Sequence, residues 1–322
     1  MRLNNTFSVF YKLNINNMSI NSFLYKTLLK LPYFGNKLKI LDNCGYLPGH
    51  YYSPIPDLED IRKRSATIFK KTDIEVKGIN LRKEEQFALL QQFTSYYRDI
   101  PYDFKNGQQT SSRYQSAGAW YRYSDVVMLY SMMRHFKPAN IIEIGSGYSS
   151  AIMLDIDEQF LNSKASINFI EPYPERLLSL ISESDKKKHK IIRTILQDVP
   201  LDIFRNLERN DILFIDSSHV SKAGSDLNHI LFEILPILKS GVIIHFHDIY
   251  YPFEMPESWI LDRLWYWNEN YILRAFLTEN SAYDIINFNS YLHKEFKEWF
   301  SENMPVCLMD VENTGSIWIR KN

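Results

Sequence analysis

Cysteine is nearly absent from this chain: Cys44 and Cys307 are the only two in 322 residues. They lie far apart and in no metal-ligand spacing, so they read as separate reduced thiols rather than a disulfide framework or a zinc site. No stretch approaches the ~20 apolar residues of a membrane span. Asn, Lys and Tyr interrupt the apolar residues after Arg2, so no signal-peptide core forms. An excess of one charge is missing too. Lys and Arg number 37 against 38 Asp and Glu, a formal net charge of −1. That balance argues against a general nucleic-acid binder, which needs a basic surface to displace counterions. These absences lead us to expect a cytoplasmic protein with no membrane and no nucleic-acid partner.

Aromatic residues are plentiful. They make up 15% of the chain, with 21 Tyr and 20 Phe, so apolar burial should be ample. The character of the sequence changes near residue 120. Residues 1–119 read as a loop-rich, helical N-terminal extension, with helices expected from Asp57 to about Lys71 and from Arg82 to Arg98. Asp57 suits the capping position of the first. The extension is a candidate substrate cap or homodimer contact. From residue 120 onward, short apolar runs alternate with helical patterns. Strands are expected at Asn140–Ile144, Ile167–Ile170, Ile191–Leu196, Asp211–Ile215 and Val242–Phe246. Helices are expected at Ser124–His135, Ser149–Leu161, after Pro174, at Pro200–Leu207 and at Ala223–Leu238. Tyr283–Phe288 and Ser316–Arg320 are two further strand candidates. Strands alternating with helices specify a parallel sheet, with its ligand beyond the carboxyl ends of the strands.

The first strand runs into Glu143-Ile144-Gly145-Ser146-Gly147-Tyr148-Ser149-Ser150. Glycines at 145 and 147 permit a tight turn and close ligand approach, and the helix that follows offers free backbone N–H groups. A dinucleotide fold uses a similar turn, but here Ser150 replaces the third glycine of Gly-x-Gly-x-x-Gly. Glu143 would repel a phosphate, whereas it suits the ammonium end of a methionine moiety. Glu171, closing the second strand, can accept hydrogen bonds from both hydroxyls of an adenosine ribose. Gln197 and Asp198, after the third strand, suit an adenine amino group, although Asp198 is equally placed to cap the helix near Pro200.

The run Glu-Ile-Gly-Ser-Gly-Tyr-Ser resembles the first motif of class I S-adenosylmethionine-dependent methyltransferases, and Glu171 matches their acidic second-strand end. Phe214-Ile215-Asp216-Ser217-Ser218-His219 and His245-Phe246-His247-Asp248-Ile249 resemble a bacterial branch acting on small molecules and sugars. The resemblance covers about residues 120–322. It implies a doubly wound, Rossmann-like α/β domain with seven strands in the order 3-2-1-4-5-7-6, helices on both faces and the last strand antiparallel. It also implies S-adenosyl-L-methionine as cofactor, held by Glu143, Gly145, Ser146, Gly147, Tyr148, Glu171, Gln197, Asp198 and Asp216.

Methyl transfer from a sulfonium is an in-line displacement, so the protein must align the acceptor and, for a hydroxyl, help remove its proton. Asp216, His219, His247 and Asp248, at the fourth- and fifth-strand ends, are the candidate catalytic residues. A neutral His219 is a sensible base or acceptor-positioning group, with a loop brace as the alternative. His245, deeper on the strand, reads as a core histidine. Relatives that use Mg²⁺ hold it with acids at these strand ends. Asp216 and Asp248 match two such positions, but His247 stands where a third carboxylate is expected, so no metal is assigned. Trp120-Tyr121-Arg122-Tyr123 and the loop Tyr250–Pro256 are candidate pocket or lid aromatics, or simply packing. The expected activity is methylation of a small-molecule hydroxyl. N- or C-methylation, a nicotinamide oxidoreductase and a non-catalytic cofactor-binding protein are the alternatives.

Overall fold

The alternation of buried apolar runs and helical segments sets the architecture, seen here in a computed structural model that describes residues 26–32, 43–69, 75–104, 112–115 and 119–322. The chain packs as two units. The smaller takes residues before Lys71 together with Glu257–Tyr266, and the larger takes the rest. In the smaller unit the helix Leu58–Ile68 starts at the expected cap, Asp57, whose carboxylate accepts from the backbone N–H of Glu59 at 2.9 Å and Asp60 at 3.2 Å. Lys71, the expected end of that helix, lies outside the described residues.

The larger unit is built on a seven-stranded sheet with helices around it. Its strands are β1 Asn140–Ile144, β2 Ser166–Ile170, β3 Lys190–Ile192, β4 Ile212–Ile215, β5 Ile243–His247, β6 Tyr283–Phe288 and β7 Ser316–Lys321. Their order is β3-β2-β1-β4-β5-β7-β6, as the resemblance implies. β7 runs antiparallel to both neighbours, and the remaining pairings are parallel. The inner strands β1, β4 and β5 are buried almost end to end, as a sheet covered on both faces requires.

Local expectations failed where tertiary contacts overrode pattern. β3 ends at Ile192 rather than Leu196, because Ile195 points to solvent and Leu196–Asp198 turns into a short 3-10 segment. The helix expected over Ala223–Leu238 is α-helical only at Asp226–His229. It loosens to π spacing over Ile230–Ile234 and tightens to 3-10 over Leu235–Ile237. Pro236 supplies no N–H for an α-helical bond and disfavours the α conformation before it. Lys186-Lys187-Lys188, which reads as a solvated turn, is the last turn of the helix Glu183–Lys188. Lys188 is not idle there: its Nζ lies 2.6 Å from the buried Asp157 carboxylate. The helices Glu269–Leu277, Asn289–Glu295 and Lys297–Asn303 were not expected from the sequence. Among the described residues, no helix is long and apolar enough to cross a membrane.

One ionic cluster pins the chain segment preceding the sheet. Arg113 grips Asp185 with two parallel bonds, at 2.9 and 2.8 Å, and reaches Asp155 at 3.1 Å. Asp155 is buried on the helix Tyr148–Phe160 and also accepts from the backbone N–H of Arg113 and Tyr114. Burial alone would raise the Asp185 carboxyl, but the Arg113 guanidinium overcomes this and holds it at about 2. Removing the guanidinium strands a buried carboxylate, so Arg113→Ala should destabilise the fold by ~3 kcal/mol in urea unfolding. A loss within the range of an exposed surface pair would contradict this.

Candidate active site at the carboxyl edge of the sheet

The loops after β1, β2 and β4 begin by continuing the strand ladder. Gly145 N donates to Ile170 O at 3.0 Å, Glu171 N to Ile192 O at 3.1 Å, and Asp216 N to Ile144 O at 2.9 Å. These bonds set the three loops side by side at one edge. Gly145 sits at φ +80°, and a Cβ there would lie 1.8 Å from the carbonyl oxygen of Asp216. No residue with a side chain fits. Ser150, in place of the third glycine, uses its hydroxyl twice: it accepts from Gly147 N at 2.9 Å and donates to Glu143.

Glu143 is fully buried and also accepts from Ser149 Oγ at 2.6 Å. Burial pushes its carboxyl up, and the two serine hydroxyls only partly counter this, leaving it at about 8. Glu171 is partly exposed and accepts from Ser146 N at 3.2 Å and Tyr173 N at 2.8 Å. Its carboxylate is thereby tied to the Gly145–Tyr148 loop. Tyr148 packs under the guanidinium of Arg176, 5.7 Å from its ring centre. Gln197 and Asp198 lie in the 3-10 turn after β3. Gln197 donates to Gly224 O at 2.6 Å, while Asp198 is exposed. Asp198 does not cap the next helix, Asp202–Arg205, which has no side-chain cap. No hydrogen bond among the described residues joins Gln197 or Asp198 to the glycine loop. Ser217 Oγ, beside Asp216, is buried with no hydrogen-bond partner among the described residues, which suits a polar ligand at this edge.

The four candidate catalytic residues do converge. His219 Nε2 lies 3.3 Å from Asp216 Oδ1 and 3.8 Å from Asp248 Oδ2, and His247 Nε2 lies 3.6 Å from Asp248 Oδ1. Asp216 is the most open of them, with 33% of its side chain exposed. On the other side of His219, Nδ1 meets Glu269 Oε2 at 2.7 Å, and Glu269 is itself buried. Burial alone would discharge His219, but Asp216 and Glu269 overcome it and hold the ring protonated well above the ordinary histidine range. His219 is therefore an imidazolium rather than the neutral base expected from sequence. Burial would likewise discharge His247, yet Asp248, Asp216 and Asp125 raise it. Burial raises Asp248, with the two histidines opposing. Burial would raise Asp216 too, but His247 and His219 hold it low, at about 2.

Sequence reasoning missed Glu269 and Asp125, and of the Trp120–Tyr123 aromatics it offered for the pocket, Tyr121 lies against the site. Asp125 opens the helix Ser124–Phe136 and is buried, accepting from Asn289 Nδ2 at 2.9 Å and Ser316 Oγ at 3.1 Å. Burial raises it to about 6, against the lowering influence of His247. Tyr121 is buried with its ring 4.8 Å from His247. Trp120, expected beside it, is exposed instead. The loop aromatics after β5 are core residues rather than a lid: Tyr251 and Phe253 pack on Phe288. His245 is a core histidine, stacked on Phe214 at 3.9 Å and kept neutral by burial.

A family model described as a methyltransferase domain matches residues 142–249, the span from β1 through β5. A protein of Archaeoglobus fulgidus, described as uncharacterized, is 37% identical over 166 residues, covering 51% of this chain and 75% of the other. An S-adenosylhomocysteine-bound methyltransferase from Podospora anserina is 19% identical, covering 84% of this chain and 99% of that one, with a TM-score of 0.40. An O-methyltransferase of tomaymycin synthesis from Streptomyces achromogenes is 12% identical over 82% and 96% of the two chains, TM-score 0.40. An O-methyltransferase from Bacillus cereus is 14% identical over 81% and 100%, TM-score 0.39. Structural likenesses this distant decide nothing about activity. Sheet order and the loop after β1 define a doubly wound α/β protein with its ligand edge at the strand carboxyl ends. Within that architecture, residues 142–249 are a methyltransferase domain.

Glu143 gives a pH signature. A carboxyl raised in the fold holds its proton more tightly there than when unfolded. Its contribution is therefore fully present below its ordinary value near 4.5 and is lost as pH rises to about 8. Compared with wild type, Glu143→Gln should gain ~1.4 kcal/mol of stability per pH unit across that window and level off above it. Urea unfolding at about pH 5, 7 and 9 checks this, and a pH-independent difference would contradict it.

Proposed function

We propose that this enzyme methylates a hydroxyl oxygen of a small molecule, a sugar or natural-product intermediate. The observation that carries the reading is the convergence of Asp216, His219, His247 and Asp248 beside the glycine loop. When bound, S-adenosylmethionine supplies a methyl group made electrophilic by the sulfonium. Gly145, Ser146, Gly147, Tyr148 and Glu171 would hold it, with Glu143 beneath the loop, Asp216 at its edge, and Gln197 and Asp198 on the adenine side.

The chain's own residues then have one task, to orient an acceptor hydroxyl and take its proton. His219, as an imidazolium, donates through Nε2 to the acceptor oxygen and fixes its position. The hydroxyl proton passes to Asp248, whose raised carboxyl is a better base than an ordinary aspartate. His247 balances the charge of Asp248 from behind. Asp216 holds His219 charged and faces the solvent side. Residues 120–322 form the catalytic domain in this reading, and residues 1–119 serve as an acceptor cap or homodimer contact. The reading includes no metal, nucleic-acid or membrane partner, and it places the enzyme in the cytoplasm.

Incubation with methyl-labelled S-adenosylmethionine and a panel of hydroxyl, amine and carbon acceptors tests the reading. Transfer to a hydroxyl acceptor should fall ~10²–10⁴-fold in Asp248→Asn, with S-adenosylhomocysteine affinity little changed. Transfer to amine acceptors alone would replace it with N-methylation. Cofactor binding without transfer to any acceptor would favour a non-catalytic protein.

A further inference from the structure

The loops that carry His219 and Asp248 are both strained. His219 has φ 59° and Asp248 φ 55°, the left-handed region that residues with a side chain seldom occupy. Such conformations persist only where neighbouring groups hold them. Here the holding groups come from one short stretch, Asn268-Glu269-Asn270, at the start of the helix Glu269–Leu277. The backbone N–H groups of Asn268 and Glu269 both donate to His219 O at 3.2 Å. The Asn268 side chain clasps Ser221, accepting from its N–H at 2.7 Å and donating to its carbonyl at 3.1 Å. The Asn270 side chain does the same on the other loop, donating to Asp248 O at 2.9 Å and accepting from Tyr250 N at 2.8 Å. Between the two asparagines, Glu269 meets His219 Nδ1 at 2.7 Å, and the preceding Trp267 stacks on the same ring at 4.4 Å.

We propose that Asn268-Glu269-Asn270 is a positioning clasp for the transfer reaction, in which the asparagines fix the two catalytic loops and Glu269 fixes the His219 ring with Nε2 turned toward Asp216 and Asp248. The proposal rests on the reading of His219 and Asp248 as acceptor-site groups. An ionised carboxylate only accepts hydrogen bonds, so Glu269 requires the proton on Nδ1 and thereby sets the ring's orientation. The charged or titratable groups facing His219 are Asp216 from the end of β4, His247 and Asp248 from the end of β5, and Glu269 from the helix. Of these, only Glu269 bonds Nδ1. It is a positioning residue, since it acts on the acceptor through His219.

The test uses the full chain labelled with ¹⁵N-histidine. In wild type, a hydrogen-bonded Nδ1 proton assigned to His219 should appear strongly downfield, and its absence would overturn the proposal without any variant. Glu269→Gln should abolish that signal and lower kcat by ~100-fold or more, on a hydroxyl acceptor found with the acceptor panel. KM for S-adenosylmethionine and affinity for S-adenosylhomocysteine should stay within about threefold of wild type, because the glycine loop lies on other strands. Glu269→Asp should recover part of both the signal and kcat. An unchanged signal or an unchanged kcat in Glu269→Gln overturns the proposal, as does a loss of cofactor affinity equal to the loss of kcat, which marks a merely structural residue. Failure of wild type to bind S-adenosylhomocysteine would instead count against the proposed function, and the resonance would still decide the clasp.

Discussion

A missing side chain at Gly145 governs the geometry of this molecule's working edge. The Asp216 carbonyl occupies the place a Cβ would take, so the loop after β1 and the loop after β4 lie in direct contact. The parallel ladder makes that contact unavoidable, since Asp216 N is bonded to Ile144 O just before the glycine. Once the two loops touch, the rest of the site is placed by neighbours in the sheet. β5 pairs with β4 and delivers His247 and Asp248 next to Asp216. β2 pairs with β1 and delivers Glu171 against the N–H of Ser146. The proposed cofactor and acceptor sides of this edge become adjacent through backbone packing before any side chain acts.

Charge compensation then decides which states those side chains hold. Burying a carboxylate or an imidazolium alone is costly, and pairing is the usual remedy. Asp216, Asp248 and Glu269 surround His219, and Asp248, Asp216 and Asp125 act on His247. The carboxylates favour the charged form of both histidines, and the histidines in turn hold Asp216 low, at about 2. Glu143 has hydroxyls rather than a cation beside it and goes the other way, keeping its proton to about pH 8. The two halves of the edge therefore differ in character. The acid under the glycine loop holds its proton to about pH 8, while the proposed acceptor side is a compact cluster of carboxylates and histidines.

Legibility in the sequence followed locality. Strand, glycine turn and helix from Asn140 to Phe160 could be read directly, because the buried run, the two glycines and the helix signals are consecutive. The carboxyl-end residues of β4 and β5 were readable for the same reason, and the sheet order came with the family resemblance. Ile195 misled because an isoleucine at strand spacing looks the same whether it is buried or exposed. Pro236 broke the long helix after β4 by removing an N–H the pattern could not show as needed. Glu269 was invisible for a deeper reason. It meets His219 across fifty positions, and the helix it opens lacks a side-chain cap, because Asn268 spends its amide on Ser221. A buried acid on an unremarkable helix carries no local mark of its partner.

Calorimetry on wild type and Gly145→Ala tests most directly whether the edge around Gly145 is a cofactor site. S-adenosylhomocysteine should bind wild type with a stoichiometry near one, NAD should not bind, and the alanine variant should lose the interaction because its Cβ displaces the Asp216 carbonyl. Binding of NAD instead, or S-adenosylhomocysteine affinity that survives in Gly145→Ala, would contradict a methyltransferase cofactor site built on that contact.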